Sequence, residues 1–125
     1  MPDADAPTID EEVLAEMMAA TGDDIGFVGE LLDTYLADTP AQLDAMAAAV
    51  DADDAAALVR PAHTVKSSSA SMGAMRLSQL ARDLEMAGRS GALGPGDRVS
   101  MNAARSEWPP AVEALKAWIE RASDT

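Results

Sequence analysis

Apolar residues recur along this chain at helical rather than strand spacing. Ile25, Val28, Leu31, Leu32, Tyr35 and Leu36 fall at i, i+3, i+6, i+7, i+10 and i+11, one stripe of an amphipathic helix. Asp23 or Asp24 precedes it as an N-cap. Leu43, Met46, Ala47 and Val50 continue the stripe beyond Pro40, so the helix either kinks there or restarts with Thr39 as cap and Pro40 at its first position. Ahead of it, Thr8 or Asp10 caps a short helix through Met18, with Glu11 and Glu12 favourably placed in its first turn and Gly22 ending it. Asp51-Ala52-Asp53-Asp54 reads as a turn and cap. The next helix runs from about Asp54 through Ala70, with Leu58, Ala62, Val65, Ser69 and Met72 along one side. Pro61 lies inside it and predicts a bend or weakened first turns. After Gly73, Leu77, Leu80, Leu84 and Ala87 mark a further helix ending in Gly88-Arg89-Ser90-Gly91, and Gly94-Pro95-Gly96 reads as a loop. A last helical region begins near Asp97, is interrupted at Pro109-Pro110, and resumes through Val112, Leu115, Trp118 and Ile119.

Four long helices with short connections predict an all-α fold, an antiparallel four-helix bundle with a short extra N-terminal helix. Residues 1–7 read as a disordered lead-in, 8–122 as one domain and 123–125 as a tail. Composition agrees. Of 125 residues 48% are apolar, but 27 residues are Ala, a strong helix former that lets backbones approach closely, and only 10 are Val or Ile. The eight methionines fill core positions, and Trp108 and Trp118 pack an end of the bundle.

Charge narrows the function. Residues 1–59 hold 15 Asp and Glu and no Lys or Arg, and residues 60–125 hold all nine bases against seven acids, giving −13 overall. Nucleic acid and anionic membrane surfaces are excluded as nonspecific partners. No apolar run approaches a membrane span, and the acidic N-terminus lacks the features of a secretory signal, so a cytoplasmic location is expected. There is no cysteine and a single histidine, His63, which removes disulfides, thiolate zinc sites and multi-His metal sites. Asp51-Ala52-Asp53-Asp54 begins like a calcium loop but has neither the turn glycine nor the closing Glu, whose place is taken by Ala62. The glycines of 88–96 match no phosphate-binding loop.

At about 100° per residue, His63 lies roughly 125° from the centre of its helix's apolar face, so the ring faces outward. Around it lie Ala56, Val59, Arg60, Ser67 and Ala70, with Lys66 at the boundary. These residues are mostly small. An exposed helix face ordinarily carries long Glu and Lys side chains, and this one instead leaves an imidazole open to another protein.

The stretch His63-Thr64-Val65-Lys66-Ser67-Ser68-Ser69-Ala70-Ser71-Met72-Gly73-Ala74, followed by Leu77 and by Leu84-Glu85, resembles the histidine-containing phosphotransfer (HPt) family. The resemblance spans about residues 23–93 and rests on the joint spacing of His, Lys, Gly-Ala and Leu-Glu. Ser67 stands where the family commonly has Gly, which keeps docking possible and narrows which partners fit. Pro109-Pro110 interrupts a helix that the family usually keeps continuous.

The resemblance implies a monomeric phosphorelay intermediate without a nucleotide site, a carrier rather than an enzyme. It relays a phosphoryl group between aspartates of receiver domains, in response regulators or a hybrid sensor kinase. His63 would be the phosphoacceptor, since an imidazole is largely neutral and nucleophilic near pH 7. Glu85 takes the place of the partner that orients the ring. Lys66, nearly one turn from His63, offers a cation to phosphoryl oxygens. Ala56, Val59, Arg60, Ser67 and Ala70 would form the docking face, Arg60 and Lys66 suiting an acidic partner. The chain has no cofactor of its own, and the receiver supplies Mg²⁺. Two other readings compete: a dimerising phosphoacceptor domain of a sensor kinase, which typically has an acidic residue where Thr64 stands, and a helical adaptor without phosphoryl chemistry. A serine nucleophile at 67–69 lacks a suitably placed base.

Overall fold

The computed structural model describes residues 7–124. The lead-in expected over residues 1–7 therefore lies, for residues 1–6, outside the described residues, as does Thr125. Five helices follow in order: α1 (Glu11–Ala20), α2 (Ile25–Asp51), α3 (Ala55–Ser71), α4 (Met75–Ser90) and α5 (Pro95–Ser123). Among the described residues there is no strand.

Acidic caps start the first three. Asp10 accepts from the Glu12 N–H at 3.0 Å, Asp24 from Phe27 at 3.0 Å and Asp54 from Ala57 at 3.1 Å. Each removes one of the unpaired donors that open a helix. α5 uses a different device. The Gly94 N–H donates to Asp97 Oδ2 at 2.7 Å and the Asp97 N–H returns to the Gly94 carbonyl at 3.0 Å. Pro95 then occupies the first helical position, where its missing N–H is no loss. Gly94-Pro95-Gly96 is thus a helix start rather than a plain loop.

The helices continue through their prolines. α2 runs unbroken through Pro40, α3 through Pro61 and α5 through Pro109 and Pro110. No restart occurs at Thr39, whose hydroxyl donates back to the Tyr35 carbonyl at 2.7 Å. α5 is likewise not interrupted: Pro109, Pro110 and the carbonyl-bearing Arg105 and Ser106 are exposed, while Ala104, Ala111 and Leu115 are buried on the other face. Water reaches the carbonyls that lose an N–H donor, and packing holds the axis. Ser123, expected in the tail, closes α5.

α3 packs against α4 and α2, and α5 packs against α4 and α2, so the four long helices close a ring of contacts. Met46, Leu58, Val65, Leu77, Leu84 and Leu115 are fully buried within it. Each such side chain contributes about 1.5–3 kcal/mol through burial. Tyr35 meets Trp108 edge to face at 5.4 Å and hydrogen-bonds the buried Ser69 hydroxyl at 2.7 Å. Burial pushes its phenol up to about 12, against the opposing effect of that bond. Trp108 and Trp118 are half-buried against the core. α1 is tied on by the Asp10 N–H, which donates to the Gly73 carbonyl at 2.6 Å. A Cβ at Gly73 would stand 2.7 Å from the Asp10 carbonyl, and φ is +78° there, so the turn requires glycine twice over.

The seam between α3 and α4 is the closest. A Cβ on Gly88 would lie 2.8 Å from the Ala55 carbonyl and 2.9 Å from Val59 Cγ2. Gly88 is buried inside α4 and serves close packing. The terminator is Gly91, which ends the helix at φ +84°.

Candidate functional site

The α3–α4 seam carries one ionic cluster. His63 projects from α3 with its side chain 53% exposed, and its Nδ1 lies 3.0 Å from Glu85 Oε2 on α4. Glu85 is buried, although its charge would ordinarily oppose that. Four nitrogens compensate. Besides His63, Lys66 Nζ stands 2.7 Å from Oε1, and Arg89 reaches Oε2 through Nε at 2.9 Å and Nη2 at 2.7 Å. Burial pushes the carboxyl upward, but hydrogen bonds from Lys66, Arg89 and His63 and the Lys66 charge outweigh it and hold the group at about 2.

That ionisation decides the histidine's tautomer. A carboxylate only accepts, so Nδ1 of His63 carries the hydrogen. In the neutral ring the lone pair then sits on Nε2, the nitrogen that Glu85 does not hold. With Lys66 and Arg89 against one carboxylate, these three charged side chains sum to a single positive charge beside the imidazole. Ser78 Oγ donates to the Lys66 carbonyl at 2.9 Å, a side-chain tie from α4 to the backbone of α3 beside the cluster.

The structure brings three sequence-predicted residues together: His63, Lys66 and Glu85. Around the ring, Ala56, Arg60 and Ser67 are exposed and Ala70 is half-buried. Val59 is half-buried and turned toward Gly88, so part of it is spent on the seam. Arg60 forms no ion pair among the described residues, whereas Lys66 is already engaged by Glu85. Sequence reading missed Arg89 by placing it in a helix end. The available signal was its i, i+4 spacing from Glu85, the geometry of a helical ion pair.

Beside this cluster a groove of about 550 Å³ runs between α2 and α3. Thr64, next to His63, lines it with Ser68, Ser71 and Met72, opposite Leu31 and Asp38 of α2. Among the described residues no group of three or more His, Cys, Asp or Glu is placed to hold a metal ion, and no helix is long and apolar enough to cross a membrane.

Residues 30–125 match the family model described as Hpt domain. The crystal structure of histidine-containing phosphotransfer protein B (HptB) from Pseudomonas aeruginosa PAO1 is similar to this chain, with a TM-score of 0.80 and 31% sequence identity over 93% of this chain and 97% of that one. No curated protein matches.

Proposed function

From the premise that the chain belongs to the Hpt domain family, a family of phosphotransfer carriers that work with receiver domains in phosphorelays, we propose that His63 is the residue that accepts and surrenders the phosphoryl group. The observation that carries this reading is the pairing of His63 Nδ1 with an ionised Glu85, which leaves Nε2 as the nucleophile on an exposed face of small residues.

In the forward step the Nε2 lone pair attacks the phosphorus of a receiver's aspartyl phosphate. The Nε2–P bond forms, the P–O bond to the aspartate breaks, and the electron pair leaves with that carboxylate. Nδ1 keeps its proton throughout, so the ring becomes cationic, and Glu85 stabilises that developing charge. Transfer to a second receiver reverses the same steps. Lys66 and Arg89 hold the carboxylate, and Lys66 is near enough in the helix to turn toward phosphoryl oxygens. The charge of the phosphoryl group would be partly neutralised by Mg²⁺ if the receiver's acidic pocket supplies it. Ala56, Val59, Arg60, Ser67 and Ala70 form the docking face. The finer architecture proposed is a single monomeric domain, an antiparallel four-helix bundle with α1 appended, acting in the cytoplasm with no cofactor of its own.

Incubation with a phosphorylated receiver domain tests the assignment. The wild type is expected to acquire an acid-labile, base-stable label that His63→Gln does not. A label that persists in His63→Gln moves the site elsewhere. No label on the wild type, with binding retained, leaves the adaptor reading.

A further inference from the structure

Of the five acids of α2, Glu30 and Asp33 lie outside the groove and form no ion pair among the described residues, and the other three divide by side. On the side that meets α5, Asp44 is paired with Arg105 at 3.0 Å and Asp51 with Arg98 at 2.8 Å. On the side that lines the groove, Asp38 forms no ion pair or hydrogen bond through its carboxylate among the described residues. α2 contains no Lys or Arg, and the facing wall of the groove offers none.

That facing wall is chemically closed. Thr64 donates to the Arg60 carbonyl at 3.1 Å, Ser68 to the Thr64 carbonyl at 2.8 Å and Ser71 to the Ser67 carbonyl at 3.1 Å. Their donors are satisfied within α3, so an apolar surface can cover them without stranding a hydroxyl. Leu31, 39% exposed, and Met72 supply apolar contact, and Phe27, one turn before Leu31 on the same stripe, extends it with 45% exposure. The one uncompensated charge in the lining is Asp38.

We propose that Asp38 selects among receivers by requiring a Lys or Arg beside the apolar element that enters this groove. The inference rests on the phosphorelay reading and deepens it. Thr64 lines the groove and His63 is its neighbour, so whatever covers the groove stands next to the phosphoacceptor. The cluster at His63 favours the acidic phosphoryl end of the partner, and Asp38 favours a basic flank. A partner with the opposite polarity meets repulsion at both ends.

The test measures phosphoryl transfer from a panel of acetyl-phosphate-charged receiver domains to three proteins: wild type, Asp38→Lys and Asp33→Lys. Asp33 is exposed and lies roughly 140° around α2 from Asp38, so it makes the same change in net charge away from the groove. Circular dichroism checks that each is helical. With the receiver that serves the wild type best, Asp38→Lys is expected to slow transfer roughly tenfold at low salt and to flatten its salt dependence, while Asp33→Lys matches wild type. Replacing the facing Lys or Arg of that receiver by Asp is expected to restore transfer to Asp38→Lys. Equal rates for wild type and Asp38→Lys, or equal slowing by Asp33→Lys, overturn the selectivity inference and leave the relay intact. Failure of every receiver to label the wild type removes the relay reading, and this inference with it.

Discussion

Arg89 grips Glu85 from one turn further along α4, and it does so on Oε2, the same oxygen that takes the Nδ1 hydrogen of His63. Two guanidinium bonds therefore fix the position of the acceptor that fixes the imidazole. Arg89 is 58% exposed and holds its pose through these bonds rather than through burial.

Arg89→Ala is expected to slow phosphoryl transfer to His63 roughly tenfold, the size of effect seen when a partner orienting an imidazole is removed. Stability should fall by no more than about 1 kcal/mol, because the arginine is largely exposed. Nitrogen chemical shifts of the imidazole provide the deciding readout. Positioning predicts a larger share of the other tautomer in the variant. An unchanged tautomer ratio with unchanged transfer would make Arg89 a surface charge only.

Acid should act through Glu85 in a defined window. Its folded-state pKa is about 2 against an ordinary 4.5. The folded state therefore binds this proton less readily than the unfolded chain. The resulting stabilisation is fully present above about pH 4.5 and is lost as pH falls through about 2. Glu85→Gln keeps an oxygen for Nδ1 but has no charge to titrate. Urea denaturation should show wild type ahead of Glu85→Gln at pH 7, with the gap closing between about pH 4.5 and 2. A gap that stays constant across that range would remove the carboxylate from the account.

Two glycines of the same composition value should respond with opposite signs. Gly88→Ala places a methyl 2.8 Å from the Ala55 carbonyl, against backbone that cannot yield cheaply. Overpacking of about 1–3 kcal/mol exceeds the gain of about 1 kcal/mol in helix propensity. Gly29 in α2 has open space around it, so Gly29→Ala keeps the propensity gain. The first should lower the urea midpoint and slow transfer by spreading the His63–Glu85 pair, and the second should raise the midpoint. Equal shifts in both would mean that the α3–α4 seam has slack.

These glycines also mark how far the sequence was readable. The helices, the Asp10, Asp24 and Asp54 caps and the outward pose of His63 follow from spacing alone, because capping and amphipathicity are local properties. Gly88 looked like a terminator because a small residue near a helix end has two uses. Only the identity of the facing helix distinguishes them. The restart expected as one alternative at Thr39-Pro40 and the interruption expected at Pro109-Pro110 did not occur, since burial of the neighbouring Leu43 and Ala111 outweighs the lost bonds. Glu85 was assigned by family resemblance, and its burial among three donor side chains is a tertiary fact that no local pattern encodes. The α2–α3 groove was illegible for the same reason.

Lys66 divides two accounts of the same ion pair. Its Nζ lies 2.7 Å from Glu85 Oε1, so it could act through the carboxylate alone, as Arg89 does. Its side chain is also 30% exposed and sits on α3 one turn from His63, within reach of phosphoryl oxygens once a partner docks. Lys66→Ala is expected to slow transfer roughly tenfold while the helical circular dichroism is retained. The background separates the accounts. If Lys66 worked only by holding Glu85, its removal would add nothing to Glu85→Gln. Direct stabilisation of the phosphoryl group predicts the same slowing in both backgrounds, and that additivity is the expected result. Unchanged transfer in Lys66→Ala would take the lysine out of the mechanism and leave Glu85 as the one charged side chain acting directly on His63.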